Sequence, residues 1–504
     1  MNITKRAWVS FFSAFVVGLL VHLPAFLSDI PNHDGLASMY FDQDMITSGR
    51  WFLTVACGIS SYFTVPWVIG LLSLLYLGIS AALLTNVLEI KDMWLAGLIS
   101  GLLVVFPSLC STAAYVFTMD GYMMGVLFSI LSVYLTKKYK RGFIAGGIFL
   151  ALSMAIYQAY LPMAVLLCLY EVITILCDRK TGKDLKKILA YPVMGVFGIV
   201  IYYAVLRLLL LIRGLSLNTY QGIDNMSSGA GEGSLFSTIA LMYRNFFAFT
   251  LKGRVLANNT FSWVSLAVLL AGAVYAFLKV LKGASLGKKV IFCVSALGIL
   301  IILPVIFEMI LIVSPGVEFH LLMRYHWILI PILLLALYDR YAESDTLGLI
   351  FRWSSFIAAF VLIFNYFVTD NIAYSNLQKR YEKTYAYCVR LLDRIEQTKG
   401  YYSGIPVAMI GVVSDEEFPK TDITEDVTSS MIGISGDVLL YTPANYEAFM
   451  KNYLGATINF MEVEEVTPIY YTEEYTEMDS FPGPDSTKVV DGVLYVKTEN
   501  KIKD

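Results

Sequence analysis

Charged residues are scarce in this chain of 504 amino acids: they make up 15% of it, against 57% hydrophobic residues. Soluble domains average about 25% charged and roughly 45–50% apolar residues, so this composition excludes a water-soluble fold. Histidine is rarer still, with four residues and no His-x-x-x-His pair, which argues against a zinc site. The six cysteines have no paired spacing and predict neither a disulfide framework nor a metal knuckle.

The few charges are divided unevenly along the chain. Residues 401–504 contain 19 acids and 6 bases, whereas bases outnumber acids before them. Anionic headgroups and nucleic acid repel such an acidic tail. We therefore expect the tail to be solvated near the membrane, and we expect no nucleic-acid partner.

Long apolar stretches fill roughly the first 370 residues. Taking about 20 apolar residues as one membrane crossing, we predict about eleven spans. They lie near residues 7–28, 64–88, 93–109, 116–136, 142–158, 160–177, 189–213, 260–281, 289–313, 325–339 and 348–369. The prediction is a mainly α-helical, polytopic transmembrane bundle over residues 1–370. Its first apolar run is too long for a signal peptide and is expected to remain as a span.

Short loops rich in lysine and arginine indicate the orientation, because such loops stay in the cytoplasm. They follow even-numbered spans, at residues 137–141, 179–187 and 282–289, and the N-terminus carries Lys5 and Arg6. An odd number of spans then puts both the loop after the first span and the C-terminal tail outside the cytoplasm.

Residues 371–504 predict a separate, extracytoplasmic α/β domain. Apolar residues from Leu377 to Ile395 recur at helical spacing, and Val407–Val413 reads as a buried strand. Asp491-Gly492 between two β-rich runs predicts a hairpin over 488–497. This region has no catalytic motif, so we expect a lid or a docking surface.

The loop between the first two spans is rich in reactive side chains. Residues 29–51 include His33, Asp34, Asp42, Asp44 and Arg50. A carboxylate at a membrane surface can act as a general base toward a hydroxyl. Asp34 is our candidate for the base, because Gly35 permits a tight turn that presents it. His33, Asp42 and Asp44 are candidates for substrate binding, although the acids can equally be solvated loop residues.

Asp120 lies where the third and fourth spans meet on the same outer side, so it is a second catalytic candidate. The alternative is that it caps the fourth helix. If a lipid phosphate is to be held or to leave during a transfer, cations are needed to stabilise its charge. For this role we select Arg50, Arg207 and Arg324. His320, Tyr157 and Gln158 are further candidates for substrate binding. The alternative for the segment that contains Tyr157 and Gln158 is packing in the aromatic belt at the membrane interface. Glu171 and Glu308 are candidates for structural pairing or for an acidic substrate path.

Several of these segments carry a family resemblance. Asn32-His33-Asp34, Gly49-Arg50-Trp51, Phe117-Thr-Met-Asp-Gly-Tyr122 and Tyr157-Gln-Ala-Tyr-Leu-Pro162 resemble features of the polytopic glucosyltransferases of the Gtr type II kind. The resemblance covers residues 7–370. It implies a GT-C-like fold in a bacterial cytoplasmic membrane. Relatives carry two adjacent acids in the first loop; here Gly35 follows Asp34, so the second acid is Asp42, Asp44 or Asp120.

The resemblance also implies the reaction. A hexose, glucose in the first instance, would move from an undecaprenyl-phosphate-linked donor to a cell-surface polysaccharide on the outer side, as in O-antigen modification. The partners would be that lipid-linked donor, the surface glycan and membrane lipid. The cofactor is left open, since nothing in the sequence requires a divalent cation.

Two other functions fit the residues alone. A transporter or flippase for a lipid-linked sugar would favour internal repeats and mid-span charges, and we find no clear repeat and few such charges. A non-catalytic assembly partner, with the tail as its interaction module, is the third.

Overall fold

A computed structural model describes residues 4–32, 34–37, 44–178, 187–219, 235–282, 284–313, 317, 319–343, 345–410, 439–440 and 442–498. The chain forms two compact units. The first comprises Met1–Ser28, Tyr40–Asn371 and Ser430–Ile432, and the second comprises Asp29–Met39, Ile372–Ser429 and Gly433–Asp504. The loop after the first span is therefore divided, and its first half belongs to the second unit.

The first unit consists of helices. They are α1 (Lys5–Leu27), α2 (Leu53–Cys57), α3 (Pro66–Val87), α4 (Met93–Val105), α5 (Pro107–Ala113), α6 (Val116–Lys138), α7 (Gly142–Ile156), α8 (Leu161–Cys177), α9 (Ala190–Arg213), α10 (Leu235–Lys252), α11 (Thr260–Lys282), α12 (Leu286–Phe307), α13 (Ile310–Val313), α14 (Leu329–Tyr341) and the first part of α15 (Thr346–Glu396). Short 3₁₀ turns at Ile46–Ser48, Gly58–Ser60, Gln158–Tyr160 and Leu321–Ile328 interrupt them.

The helices confirm the predicted polytopic bundle. Among the described residues, eight helices are long and apolar enough to cross a membrane, and the bent pair α4–α5 makes a ninth. Two shorter apolar helices, Gly142–Ile156 and Phe292–Phe307, follow the same chain order. Each of the predicted spans falls on one of these helices.

Three interruptions in the apolar helices lie close together. The chain bends by 46° between α4 and α5, because Phe106 precedes Pro107 and adopts an extended conformation. The second interruption is the Leu321–Ile328 turn, and the Ser108 hydroxyl donates to its first carbonyl, that of Leu321, at 2.7 Å. The third, Gln158–Tyr160, packs against Leu321–Ile328. Gln158 of the candidate site lies in the third of these interruptions.

Small residues allow the helices to approach closely. A Cβ atom on Gly198 of α9 would lie 3.0 Å from the Gly147 carbonyl oxygen of α7. Polar contacts add to this packing: Ser10 and Thr85 hydroxyls are 2.9 Å apart, and His22 Nε2 lies 2.8 Å from the Val104 carbonyl oxygen. Such contacts are typical of helices that pack in lipid.

The second unit combines the rest of α15 with a small sheet. Its strands are β1 (Pro406–Ile410), β2 (Asn459–Phe460), β3 (Thr487–Val490) and β4 (Val493–Lys497), in the order β2-β1-β4-β3. β1 is parallel to β2 and β4, and β3 is antiparallel to β4. Short helices α16 (Pro443–Phe449), α17 (Val463–Val466) and α18 (Glu473–Thr476), a π-helical turn at Met450–Leu454 and 3₁₀ turns at Gly35–Ala37 and Ile469–Tyr471 complete it.

The predicted helix and hairpin of this unit are confirmed, as is the predicted strand up to Ile410; its last three residues, 411–413, lie outside the described residues. The apolar residues from 377 to 395 lie on α15, and the predicted strand begins at Pro406. Asp491 and Gly492 both have positive φ, at 49° and 81°, as a two-residue hairpin turn requires.

Candidate active site

Asp34 lies at the exposed tip of a tight turn in the second unit. The buried side chain of Asn32 closes this turn: its Oδ1 accepts from Gly35 N at 2.8 Å. The Leu36 amide donates to the Asn32 carbonyl at 3.1 Å. Asn32 therefore shapes the backbone on both sides of Asp34.

Leu36 fastens this turn to the core of the second unit. Its side chain is 1% exposed. It belongs to a hydrophobic cluster that includes Cys388 and Leu391 of α15 and Phe449 of α16. The Leu36 carbonyl also accepts from Asn452 Nδ2 at 3.4 Å. No local sequence pattern indicates this link, because the partners of Leu36 lie more than 350 residues away.

Arg50 lies among tyrosine rings in the first unit. Its guanidinium carbon is 4.6 Å from the Tyr157 ring centroid, a cation–π contact. Its Nη1 donates to the Tyr122 hydroxyl at 3.3 Å, and the Tyr122 and Tyr157 rings stack at 4.9 Å. Arg50 Nε is buried, and within the described residues it has no hydrogen-bond partner, nor does any carboxylate pair with this guanidinium. Arg50 is thus a cation whose charge the described chain leaves unneutralised.

A network of hydrogen bonds holds the backbone that carries Arg50. Gly49 has a φ of 74°, which favours glycine, and the Arg50 amide donates to the Met45 carbonyl at 3.1 Å. Gln158 Nε2 donates to the Ser48 carbonyl and to the Tyr202 hydroxyl, each at 3.0 Å. The Tyr202 hydroxyl in turn donates to the Gly49 carbonyl at 3.1 Å. Both amide hydrogens of Gln158 are therefore engaged in holding this turn.

Asp120 is fully buried in the second turn of α6. Its Oδ1 accepts from Gly121 N at 2.8 Å, and within the described chain its buried Oδ2 has no partner. The capping alternative is wrong, because the residue before the helix is Tyr115. A Cβ on Gly121 would come within 2.6 Å of Cys57 Sγ, so α2 lies tight against this helix. Burial, with the nearby Asp120 charge, raises the pKa of the Cys57 thiol, which favours a neutral thiol over a nucleophile.

Arg324 is surrounded by protein. Its Nη1 is 2.8 Å from Oε1 of the fully buried Glu308, and its Nε donates to the Phe319 carbonyl at 3.1 Å. The Phe319 and Phe249 rings lie 3.9 and 4.4 Å from its guanidinium carbon. The expectation of structural pairing for Glu308 is confirmed. Glu171 is paired likewise, with Lys137 at 2.9 Å.

The remaining candidates are spread over the molecule. Arg207 is exposed on α9, and His320 is half-buried before the Leu321–Ile328 turn. Asp44 forms an ion pair with Arg213. His33 and Asp42 lie outside the described residues. Among the described residues, no cluster of three or more His, Cys, Asp or Glu side chains could hold a metal ion.

The first unit thus brings together Arg50, Tyr157 and Gln158, whereas Arg324 is paired with Glu308 and Arg207 is exposed on α9. Sequence reasoning missed Tyr122 and Tyr202. Tyr122 stood in the same Asp-Gly-Tyr segment as Asp120, which was a usable signal. Tyr202 lies inside an apolar span and gave none.

Comparison with known proteins gives one match. No curated protein and no solved structure matches the chain. The family model of the glucosyl transferase GtrII matches residues 23–331. This range is more than half of the chain and includes Asp34, Arg50, Asp120, Tyr157 and Gln158. The protein, a multi-pass helical membrane protein by its apolar helices, therefore belongs to the GtrII glucosyl transferase family.

Proposed function

We propose that this protein transfers a hexose, glucose in the first instance, from an undecaprenyl-phosphate-linked donor to a cell-surface polysaccharide. The reaction takes place on the outer side of a bacterial cytoplasmic membrane, with the N-terminus in the cytoplasm and residues 371–504 outside. The family supports glucosyl transfer. The donor and the acceptor are those that the resemblance to the family implies, and the distribution of basic loops predicts the side of the membrane.

The environment of Arg50 is the observation that carries the proposal. A departing lipid phosphate needs a cation that is not already neutralised. Glu308 neutralises Arg324 at 2.8 Å, whereas within the described chain no carboxylate pairs with Arg50. We assign the donor phosphate to Arg50.

We assign the general base to Asp34, because the Asn32 turn holds it exposed to solvent. Asp34 removes the proton from the acceptor hydroxyl, whose oxygen attacks the anomeric carbon and forms the new glycosidic bond. The bond from that carbon to the phosphate oxygen breaks, and its electron pair leaves with the polyprenyl phosphate. Arg50 stabilises the negative charge that appears on this leaving group.

Transfer kinetics of three aspartate variants test the assignment. Asp34→Asn is expected to lower kcat by about 10²- to 10⁴-fold, the usual range for loss of a general base. Asp485→Asn, which removes another exposed carboxylate of the second unit, is the matched control and keeps the wild-type rate. Wild-type transfer by Asp34→Asn, with loss of transfer by Asp120→Asn, would move the role of base to Asp120.

A further inference from the structure

A cavity of about 790 Å³ lies in the first unit. The C-terminal ends of α6 and α8 and the N-terminal ends of α7 and α9 line it. Its lining shares no residue with the candidate active site. Five basic side chains line it: Lys137, Lys138, Lys140, Lys187 and Arg340. Two acids, Glu89 and Glu171, are the only acidic lining residues that the described chain provides. The wall therefore has three more positive than negative charges.

The two acids are already occupied by two of the bases. Lys137 Nζ lies 2.8 Å from Glu89 and 2.9 Å from the buried Glu171, and it donates to the Val87 carbonyl at 2.6 Å. Arg340 Nη1 lies 2.8 Å from the second oxygen of Glu89. These ion pairs hold Glu89, Glu171, Lys137 and Arg340 together in the cavity lining. Both acids are therefore already paired and do not neutralise the other lysines.

Lys138 and Lys140 also line the cavity, and both are exposed. Within the described residues, no carboxylate pairs with either of them. Each is a compact point charge on a flexible stem, which suits binding of a phosphate group. The cavity lining thus combines a cluster of ion-paired side chains with the two ammonium groups of Lys138 and Lys140, which no described carboxylate neutralises.

Part of the cavity lining is apolar. Leu189 and Val193, at the start of α9, line it and are 65% and 47% exposed. The exposed strip continues along α9 through Val196 and Val200. A ligand in this cavity would therefore meet both cations and an exposed apolar strip that continues along α9.

We propose that the cavity binds the phosphate-bearing headgroup of an anionic membrane phospholipid. Lys138 and Lys140 contact the phosphate, and the acyl chains lie along α9. Basic pockets between transmembrane helices recognise such headgroups, and each lysine near an anionic lipid contributes roughly fivefold in affinity. The basic loops at this site predict the cytoplasmic leaflet. This lipid site is separate from sugar transfer and does not depend on it.

Lipid binding to the purified full-length protein tests the proposal. Native mass spectrometry and thermal unfolding would compare phosphatidylglycerol with phosphatidylcholine, for the wild type and for the double variant Lys138→Gln/Lys140→Gln. We expect preferential binding of phosphatidylglycerol, which raises the unfolding temperature. The double variant should weaken this binding roughly 25-fold. Lys282→Gln/Lys289→Gln, at the end of α11 and in the first turn of α12, is the control and should bind like the wild type.

Three outcomes would overturn the proposal. One is equal binding of the two lipids, and another is unchanged phosphatidylglycerol binding by the Lys138→Gln/Lys140→Gln variant. The third is equally tight binding of inorganic phosphate or glycerol 3-phosphate, which would make a soluble phosphate the ligand. Because these measurements need no sugar donor, their failure would leave the transferase proposal untouched.

Discussion

Replacing Leu36 by alanine should slow glucosyl transfer although Leu36 itself touches no substrate. Leu36 is 1% exposed in the core of the second unit, and Asp34 lies two residues before it. Removing a buried leucine side chain costs about 2–5 kcal/mol. That cost falls on the state in which the Asn32–Leu36 turn is docked, because the Leu36 side chain is buried in the core in that state, where its carbonyl also accepts a 3.4 Å hydrogen bond from Asn452.

The size of the effect follows from that cost. At about 1.4 kcal/mol for each factor of ten, 2–5 kcal/mol shifts the docking equilibrium by roughly 30- to 4,000-fold. Part of this shift is absorbed while docking stays favourable, so we expect a loss of at least about tenfold in kcat. The loss cannot exceed that of Asp34→Asn if Leu36 acts only by positioning Asp34.

The assay is transfer of labelled glucose from a synthetic polyprenyl-phosphate donor by purified protein, with thermal unfolding recorded for each variant. Leu36→Met nearly conserves volume and should cost under about 1.5 kcal/mol. Leu494→Ala removes a leucine of β4 from the same core and changes no residue of the turn or of the helices named as its neighbours. It should lower stability but leave the rate of the folded protein unchanged.

The double variant Asp34→Asn/Leu36→Ala gives the sharpest result. If Leu36 acts through Asp34, the double variant is no slower than Asp34→Asn alone. Losses that multiply would refute the reasoning, as would wild-type transfer by Leu36→Ala.

Three further predictions concern the first unit. Arg50→Lys keeps the charge but loses the planar stacking, and we expect a higher KM for the lipid donor in the same assay, with a greater loss for Arg50→Gln; an unchanged KM for both would argue against a phosphate contact. Glu308→Gln leaves Arg324 buried without its partner and should lower the free energy of unfolding by roughly 3–5 kcal/mol; a stable variant would show that Arg324 is free to bind ligands. Gln158→Leu removes the donor to the Ser48 carbonyl, which should cost about 1–3 kcal/mol and speed hydrogen exchange at residues 45–50; unchanged exchange there would contradict a positioning role.

Local patterns predicted the helices and strands well. Each apolar run about 20 residues long became a helix, since the signal is contained within the run itself. The hairpin at Asp491-Gly492 was predictable for the same reason, because its turn chemistry is local.

The candidate site was predicted less completely, because its geometry depends on distant contacts. Arg50, Tyr157 and Gln158 were all selected, but the hydrogen bonds that link Gln158 through Tyr202 to the Gly49 carbonyl could not be predicted from the sequence. The sequence also placed the whole first loop with the transmembrane part, whereas Leu36 packs in the second unit. No periodicity reports a contact across more than 350 residues.

Charge pairing caused the other differences. Arg324 looked available at a span boundary, yet Glu308, sixteen residues earlier, neutralises it. Asp44 was selected for substrate binding, and it pairs with Arg213. A sequence shows which residues carry charge, but the partner of each charge is known only when the helices are packed.

The most direct test of the central claim is a mass balance in proteoliposomes that contain the purified protein, polyprenyl-phosphate glucose and an acceptor glycan. The account predicts one new glycosidic bond on the acceptor for each polyprenyl phosphate released, with both products lost in Asp34→Asn. Movement of intact donor across the bilayer with no glucosylated acceptor would contradict it and would identify a transporter instead.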